Sequence, residues 1–313
     1  MKVLVTGVAG FVGSHLAEKL LANGDDVVGI DNFLDNYPRS FKENNLTLFA
    51  GHNRFHFVGE DLLRTDLKKL LRDVIVVFHL AGQPGVRSSW GQEFSRYTEN
   101  NIMATQLLLE AVKGSELGKF VYASTSSVYG DTDDLPMREE GITRPVSPYG
   151  ATKLAAEHLC YLYCKAFAVP TVALRFFTVY GPRQRPDMFF HILMRKILRG
   201  EQVPLFDDGE QTRDFTYCGD IVDGLLGAAA YLGRGDIFNL GGGSRVSVLD
   251  AITTIEKISG RKVKLSRFDR QKGDVRHTSA RLDHAREKLQ YSPRVGLEQG
   301  LKAEWEWLCS LKD

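Results

Sequence analysis

The chain has 313 residues, and its 40 basic and 39 acidic side chains leave a formal charge of +1 at pH 7. This nearly neutral net charge gives no reason to expect nucleic acid or an anionic membrane as a partner. Apolar runs in the sequence stay well short of the roughly 18 residues that suggest a membrane-spanning helix.

The first half of the sequence alternates apolar strands with helices. Strands are predicted at Lys2–Thr6, Asp26–Asp31, Phe55–Gly59, Val74–Leu80, Lys119–Ser124 and Thr171–Phe176. Helices are predicted at Gly13–Asn23, Thr98–Lys113 and Tyr149–Phe167, where apolar residues recur at helical spacing. This alternation predicts an α/β fold, a doubly wound parallel sheet of the Rossmann type with helices on both faces.

Beyond residue 177 the pattern is less regular, and Gly and Pro cluster between short elements. A helix at Asp220–Tyr231 and a strand at Asp236–Leu240 are expected to rejoin the sheet. We therefore assign 1–177, with 212–243 rejoining it, to a cofactor-binding domain, and 178–211 and 244–313 to a smaller C-terminal substrate-binding lobe. Ligands of such sheets bind at the carboxyl ends of the strands, so the functional motifs should converge there.

The four cysteines predict no metal site and no redox pair. Cys160 and Cys164 are four residues apart in a helical stretch, and Cys218 and Cys309 are isolated, which is not the spacing of a zinc site. Few cysteines in a chain of this size suit a reducing compartment. Met1 and Lys2 lead directly into a strand instead of a signal peptide. We therefore expect a soluble, cytoplasmic protein without a bound metal.

A glycine-rich turn joins the first strand to the first helix. Gly7, Gly10 and Gly13 permit a tight turn, close approach of backbone to a pyrophosphate, and close packing of helix on strand. The helix N-terminus then offers N–H groups to phosphate. Asp31, at the end of the second strand, suits the acid that binds ribose hydroxyls, and its charge would repel a 2′-phosphate. The combination predicts a site for NAD in preference to NADP.

The catalytic candidates are Thr125, Tyr149 and Lys153. Tyr149 and Lys153 are four residues apart, so both project from one face of a helix. A free phenol, with a pKa near 10, is a poor base at neutral pH. A neighbouring ammonium and a positive nicotinamide ring both favour the phenolate, and the Thr125 hydroxyl can hydrogen-bond the reacting oxygen. These residues predict a base that removes a hydroxyl proton while hydride leaves the same carbon.

The glycine spacing and this catalytic group resemble the extended short-chain dehydrogenase/reductase superfamily, whose members act on nucleotide-sugars. Asp61-Leu62, His79-Leu80-Ala81-Gly82 and Asn101 match further parts of that family's cofactor site. The resemblance covers nearly the whole chain and implies a tightly bound, recycled NAD. The implied cofactor-binding residues are Gly7, Gly10, Phe11, Val12, Gly13, Asp31, Asn32, Asp61, Leu62, Leu80, Ala81, Gly82, Asn101, Tyr149 and Lys153.

Residues 126 and 127 discriminate among the reactions of this family. Family 4,6-dehydratases carry Asp-Glu directly after the threonine, and family glucuronate decarboxylases carry Glu one position further on. Ser126 and Ser127 stand there in this chain, and neither can act as a carboxylate base. The resemblance therefore implies epimerisation: hydride leaves the sugar, the keto sugar rotates, and hydride returns to the other face without net consumption of the cofactor.

Other motifs indicate a UDP-sugar substrate. Gln211–Phe215 and Gly273–Arg276 resemble diphosphate-binding segments of the family, and their arginines suit bidentate bonding. Val203–Phe206 resembles the strand that holds uracil. Most UDP-glucose 4-epimerases have Asn at position 178, whereas Thr178 with the motifs Gln83–Arg87 and Arg185–Met188 resembles UDP-glucuronate 4-epimerases. The implied substrate-binding residues are Pro84, Gly85, Arg87, Ser126, Ser127, Thr178, Arg185, Val203, Phe206, Arg213 and Arg276.

Three alternatives stay open, and one of them is another nucleotide-sugar epimerase or a reductase with an exchangeable cofactor. A UDP-glucose/UDP-galactose 4-epimerase differs only in the group at C6 of the sugar. A non-catalytic NAD-binding sensor protein would share the fold, although such proteins commonly lose the tyrosine or the lysine, and both are present here. Members of the family often pair through the helices predicted at Thr98–Lys113 and Tyr149–Phe167, so the resemblance also implies a homodimer.

Overall fold

The computed structural model describes residues 1–311. Within this range a seven-stranded parallel sheet has the strand order β10-β6-β5-β4-β1-β2-β3. With strands numbered along the chain, these are β1 (Lys2–Thr6), β2 (Asp26–Ile30), β3 (Phe55–Val58), β4 (Val76–His79), β5 (Lys119–Thr125), β6 (Thr171–Phe176) and β10 (Asp236–Leu240). The predicted doubly wound parallel sheet is confirmed.

Helices cover the sheet on both faces because its central strands are apolar on both sides. In β1, Val3 and Val5 pack into one core and Leu4 into the other. One layer holds α1 (Phe11–Ala22), α2 (Arg39–Thr47), α8 (Cys218–Ala230) and α10 (Asp283–Leu289). The opposite layer holds α3 (Leu67–Leu70), α4 (Phe94–Tyr97), α5 (Ala104–Val112) and α6 (Pro148–Phe167). Among the described residues, no helix is long and apolar enough to cross a membrane.

A smaller lobe is built from the later segments. Strands β7 (Thr178–Tyr180), β9 (Thr212–Tyr217) and β11 (Arg245–Ser247) form one sheet, and β8 (Val203–Phe206) pairs with β12 (Leu265–Phe268). Helices α7 (Phe189–Arg199), α9 (Val248–Ser259) and α11 (Leu297–Ser310) surround a core that includes Phe190, Ile252 and Leu301.

The segment 212–243 is divided between the two sheets. Asp236–Leu240 pairs with β6 in the large sheet, as expected, and the helix before it packs on α1. Thr212–Tyr217 differs from the expectation because it pairs with β7 and β11 in the small sheet. The reason is continuity: β7 follows β6 after a single residue and offers its edge to β9.

The helix predicted at Thr98–Lys113 has a different geometry. A π-helical segment at Thr98–Met103 follows α4, and the regular α-helix begins only at Ala104. Shorter 3-10 turns occur at Arg87–Ser89, Gly91–Glu93 and Ser126–Val128. Helix α1 begins at Phe11, two residues before the prediction, because Gly10 is already extended and forms the N-cap. Wide π turns are frequent at functional sites, and this one carries Asn101.

Candidate active site

A cavity of about 440 Å³ lies at the carboxyl ends of the parallel strands. Its volume is in the usual range for a small-molecule site. Each residue predicted to bind the cofactor lines it, as do Thr125 and six predicted substrate residues: Pro84, Gly85, Ser126, Ser127, Thr178 and Arg185. The fold therefore brings the glycine turn, the catalytic candidates and part of the substrate set into one space.

The glycine turn can pack against the segment after β4 because Gly7 has no side chain. Gly7 has φ +70, and a Cβ there would lie 2.9 Å from the Ala81 Cα. A Cβ on Gly13 would lie 2.1 Å from the Gly7 carbonyl oxygen. The backbone thus passes close to the cavity at the start of α1, where Phe11 and Val12 line it.

Asp31 is held by backbone N–H groups at the end of β2. Its carboxylate accepts hydrogen bonds from Ala9 N at 3.1 Å and from Phe33 N at 2.8 Å. Burial raises the pKa of Asp31, whereas the charge of Lys42 and these N–H groups lower it. The carboxylate is therefore fixed at the cavity wall, in the position expected for binding ribose hydroxyls.

Asn101 holds the turn that follows β4. Its Oδ1 accepts a hydrogen bond from Gln83 N at 2.7 Å, and its Nδ2 donates to Gln83 O at 3.2 Å. The same Nδ2 donates to Thr152 Oγ1 at 3.0 Å. Asn101 thereby connects the cavity floor at Gly82 to the helix that carries the catalytic candidates.

The N-terminus of α6 positions Tyr149 and Lys153. Ser147 caps the helix by accepting a hydrogen bond from Gly150 N at 3.1 Å, and Pro148 occupies the first turn, where its missing N–H costs nothing. Lys153 is 6% exposed, and its Nζ lies 4.4 Å from the centre of the Tyr122 ring. Burial lowers the pKa of Lys153 from 10.5 to about 8.

The electrostatics of Tyr149 differ from the sequence expectation. Burial raises its pKa, while a hydrogen bond with Thr125 and the charge of Arg185 lower it. Burial outweighs both of these effects because the phenol has lost its water, and the sequence-based expectation of a lowered pKa is not met. In the protein alone the neutral phenol is therefore favoured, and formation of the phenolate needs a positive charge from a ligand.

Hydroxyl groups follow β5 without interruption. Thr125 Oγ1 lies 3.3 Å from Ser127 Oγ and accepts a hydrogen bond from Ser127 N at 3.2 Å. Ser126 and Ser127 are half-buried and line the cavity. This wall of the cavity therefore offers neutral hydrogen-bonding groups and no carboxylate.

Arg185 lines the cavity, and its guanidinium is bonded to the carboxylate of Asp187. Its Nε and Nη2 each lie 3.0 Å from a carboxylate oxygen of Asp187. Burial raises the pKa of Tyr37, which also lines the cavity, and the charge of Arg185 lowers it. A substrate carboxylate would therefore have to share this guanidinium with Asp187.

A second cluster of predicted substrate residues lies outside the cavity. Arg87 stacks on the Phe206 ring at 4.1 Å and forms an ion pair with Asp274 at 2.7 Å. Arg276 forms ion pairs with two neighbouring acids, Asp207 at 3.1 Å and Asp208 at 2.7 Å.

Arg213 is a partly buried member of this cluster. Its guanidinium donates to the carbonyl oxygens of Thr212, Val275 and Arg276 at 2.9 to 3.1 Å. Burial lowers its pKa, and the charge of Asp274 raises it. The structure therefore gathers the predicted diphosphate residues around the segment 273–276.

The side chain of Val203 does not face a ligand. It is 1% exposed and belongs to the core of the smaller lobe. Side chains alternate along β8, so Val203 and Leu205 point into the core, whereas Pro204 and Phe206 point outward. The assignment of Val203 to the substrate site therefore stays a prediction that only its backbone could fulfil.

The sequence did not single out several residues of the cavity wall. Asn36, Tyr37 and Lys42 follow β2 and line the cavity, and Lys42 Nζ donates to Leu34 O at 2.6 Å. The side-chain oxygens of Asn36 and Gln83 have no hydrogen-bond partner within residues 1–311. The segment around Lys42 shows no motif, so only its position after Asp31 could have indicated it.

The cavity suits a dinucleotide by its own chemistry. Glycine backbone at the N-terminus of α1 can approach a pyrophosphate, Asp31 can bind ribose hydroxyls, and Asn36 Oδ1 offers an acceptor without a partner among the described residues. Within the same residues, no group of three His, Cys, Asp or Glu side chains is arranged to hold a metal ion.

Comparison with known proteins identifies the family. The model of the NAD dependent epimerase/dehydratase family matches residues 3–241, and the chain belongs to that family. It is 48% identical to "Uncharacterized UDP-glucose epimerase YtcB" of Bacillus subtilis (strain 168) over 99% of both chains. It is 37% identical to a UDP-glucuronate 4-epimerase of Thermodesulfobacterium geofontis (strain OPF15), over 97% of this chain and 95% of that one.

A solved structure agrees over the full length. The UDP-glucuronic acid 4-epimerase from Bacillus cereus, in complex with UDP-glucuronic acid and NAD, superposes with a TM-score of 0.97. The two proteins are 48% identical, and the match covers 100% of both chains. The resemblance to the extended short-chain dehydrogenases is therefore confirmed.

Proposed function

We propose that this protein uses NAD to interconvert UDP-glucuronate and UDP-galacturonate by inverting C4 of the sugar. One observation carries the proposal: Thr125, Tyr149, Lys153, Arg185 and the serines at 126 and 127 all line one cavity. The similarity to proteins named UDP-glucuronate 4-epimerase supports it.

The catalytic roles follow from the contacts at this cavity. Tyr149 accepts the proton of the C4 hydroxyl, and Thr125, which lines the same cavity as Tyr149, steadies the reacting oxygen. Lys153 binds the nicotinamide ribose and keeps a positive charge near the phenol. NAD, when bound along the glycine turn and Asp31, supplies the hydride acceptor.

The acid group at C6 sets a second requirement. A sugar oxidised at C4 is a β-keto acid, which loses CO₂ when the bond to its carboxylate aligns with the carbonyl π system. Hydroxyls of Ser126, Ser127 and Thr178 can hold the carboxylate away from that alignment, and Arg185 can add a charge-assisted bond. The cavity wall at 126–127 has no carboxylate side chain that would serve the competing reactions.

The decisive experiment compares two substrates. Purified protein is incubated separately with UDP-glucuronate and UDP-glucose, and the sugars formed are identified by chromatography and mass spectrometry. We expect UDP-galacturonate without CO₂ loss. Preferential conversion of UDP-glucose would favour the second candidate, a UDP-glucose 4-epimerase, which the name of the Bacillus subtilis relative supports.

A variant tests why the acid sugar keeps its CO₂. Replacing Ser127 by Glu places a carboxylate where family decarboxylases have one, and some UDP-pentose should then appear. Ser127→Gln has the same length without the charge and serves as the control. If neither variant forms pentose, residue 127 does not discriminate between the two reactions.

Retention of the cofactor is a separate prediction. Since the reaction is redox-neutral, NAD can stay bound through many turnovers. Denaturing the purified protein should release close to one NAD per chain. Predominant NADP, or dependence on a consumed reductant, would contradict both the role of Asp31 and the epimerase proposal.

We also propose a homodimer in the cytoplasm, with residues 1–177 holding NAD and the smaller lobe holding the nucleotide-sugar. Exposed apolar side chains on the two predicted pairing helices support the dimer: Met103, Tyr161, Leu162 and Phe167 are each 46 to 52% exposed. Light scattering should give twice the mass of 35.0 kDa, and Leu162→Glu should return it to the monomer. Fractionation of source cells tests the location.

A further inference from the structure

His79 lies at the end of β4, outside the set of residues assigned above to catalysis or binding. The side chain is fully buried, as are Thr6 of β1 and Thr105 of α5 on either side of it. Its Nδ1 lies 2.8 Å from Thr6 Oγ1, and its Nε2 lies 3.0 Å from Thr105 Oγ1. Because a buried polar group without a partner is costly, each of these contacts must have a donor and an acceptor.

The neighbouring hydrogen bonds fix which group donates the proton in each contact of His79. Thr6 Oγ1 already accepts hydrogen bonds from Leu80 N at 3.1 Å and Ala81 N at 3.0 Å, which occupy both of its lone pairs. Its proton is therefore donated to Nδ1 of His79. The imidazole must then carry its single proton on Nε2 and donate it to Thr105 Oγ1.

Thr105 connects these hydrogen bonds to α6, the helix that carries Tyr149 and Lys153. Its hydroxyl donates to Asn101 O at 2.6 Å. The side chain of Asn101 donates to Thr152 Oγ1, which in turn donates to Tyr149 O at 2.9 Å. One connected series of hydrogen bonds thus extends from β1 to the backbone of Tyr149.

A charged imidazolium would break this series. With protons on both nitrogens, Nδ1 would become a donor facing a hydroxyl that has no free lone pair. Burial and the charge of Lys153 lower the pKa of His79 to about 3, which agrees with the neutral form that the hydrogen bonds require.

We propose that His79 is a positioning residue. Its neutral, Nε2-protonated ring holds the cavity-lining backbone of Leu80 and Ala81 in place relative to α6, the helix that carries Tyr149. His79 does not line the cavity and acts through Thr6 and Thr105. The part of this inference that concerns turnover rests on the proposed function, whereas the tautomer does not.

The tautomer is measured directly on the wild-type protein. Nitrogen-15 NMR of histidine-labelled protein distinguishes the two tautomers, and the His79 signals are assigned by their loss in His79→Asn. We expect the Nε2-protonated form, unchanged between pH 5 and pH 9. His191 is the matched control, because it is equally buried but its Nδ1 lies 2.8 Å from the Gln184 carbonyl oxygen and must carry the proton. An Nδ1-protonated or titrating His79 would overturn the proposal.

Variants test the effect on the site. Thr6→Val and Thr105→Val each remove one hydroxyl, and both should lower NAD retention or kcat by about tenfold while KM for the UDP-sugar changes little. Since both act through His79, the double variant should lose less than the product of the two single losses. His79→Asn can keep an acceptor near Nδ1 and should retain more NAD than His79→Leu.

Two results separate this inference from the proposed function. If no UDP-sugar is converted, NAD retention and the NMR tautomer still test His79. If UDP-sugar is converted but the valine variants keep wild-type NAD and kcat, His79 has only a structural role. If the loss in the double variant equals the product of the two single losses, Thr6 and Thr105 act independently. The single connected series of hydrogen bonds would then be rejected.

Discussion

At the cofactor end of the site, Asp31 and Asn101 are hydrogen-bonded to backbone groups beside them. At the proposed nucleotide end, two of the three arginines, Arg87 and Arg276, are paired with acids. Asp31 accepts two N–H groups and Asn101 holds both backbone groups of Gln83, so this end is arranged before a ligand arrives. Arg87 and Arg276 are instead paired with Asp274, Asp207 and Asp208. If a diphosphate binds there, as predicted, it must exchange those partners, so the two ends should respond differently to mutation.

The largest effect is expected at the preformed end. Tyr149→Phe keeps the ring and removes the group that accepts the proton, so kcat should fall by about 10²–10⁴-fold with nucleotide-sugar binding nearly unchanged. Tyr161→Phe, exposed on the same helix, is the control. Wild-type turnover in Tyr149→Phe would show that another group is the base.

Arg185 tests the boundary between the two ends. If it bonds the sugar carboxylate, Arg185→Ala should lower kcat/KM for UDP-glucuronate by roughly 10- to 150-fold, the equivalent of about 1.5–3 kcal/mol for a bond to a charged group. Any conversion of UDP-glucose is the internal control and should be much less affected. Equal losses with both sugars would place Arg185 away from the carboxylate.

The buried lysine allows a test by pH. Burial lowers the pKa of Lys153 from 10.5 to about 8, so between these pH values the unfolded chain holds a proton that the folded chain has released. The free energy of unfolding of NAD-free protein should therefore rise with pH in that window, by on the order of 1–3 kcal/mol from this group.

Urea unfolding at pH 7.5 and pH 10 measures this contribution. Lys153→Met removes the titrating group, so its stability relative to wild type should decline as the pH rises. Lys165→Met, on the exposed side of the same helix, should show no such trend. A constant difference for Lys153→Met would mean that Lys153 keeps an ordinary pKa.

The smallest effect is expected at the nucleotide end. Asp274→Asn releases Arg87 from a partly exposed ion pair, which is worth at most about 1 kcal/mol. KM for the UDP-sugar should then fall by up to about fivefold, with kcat unchanged. A raised KM would indicate that Asp274 itself contacts the nucleotide. The ion pair of Arg87 with Asp274 would then be part of the binding site and would not need to be exchanged.

Features defined by local backbone were predictable from the sequence. The glycine turn, Asp31 and the Tyr149–Lys153 pair depend on residues close in the chain, and all of them line the cavity. Lys42 and Asn36 were missed because their place depends on how the segment after β2 folds back. That the side chain of Val203 faces the core could not be predicted from the motif, because the alternation of β8 decides which side chains face outward. The raised pKa of Tyr149 depends on burial, which no motif reports.

The π-helical segment has a consequence for which changes the chain can accept. An α-helix turns about 100° per residue, so the wide turn at Thr98–Met103 acts as an extra residue that rotates everything before it relative to α5. Deleting one neighbouring residue there would restore the regular helix and turn Asn101 away from Gln83, although both of these residues would still be present. The length of this segment is therefore under stricter constraint than its composition, and substitutions at the exposed Glu99 should be tolerated where a one-residue deletion is not.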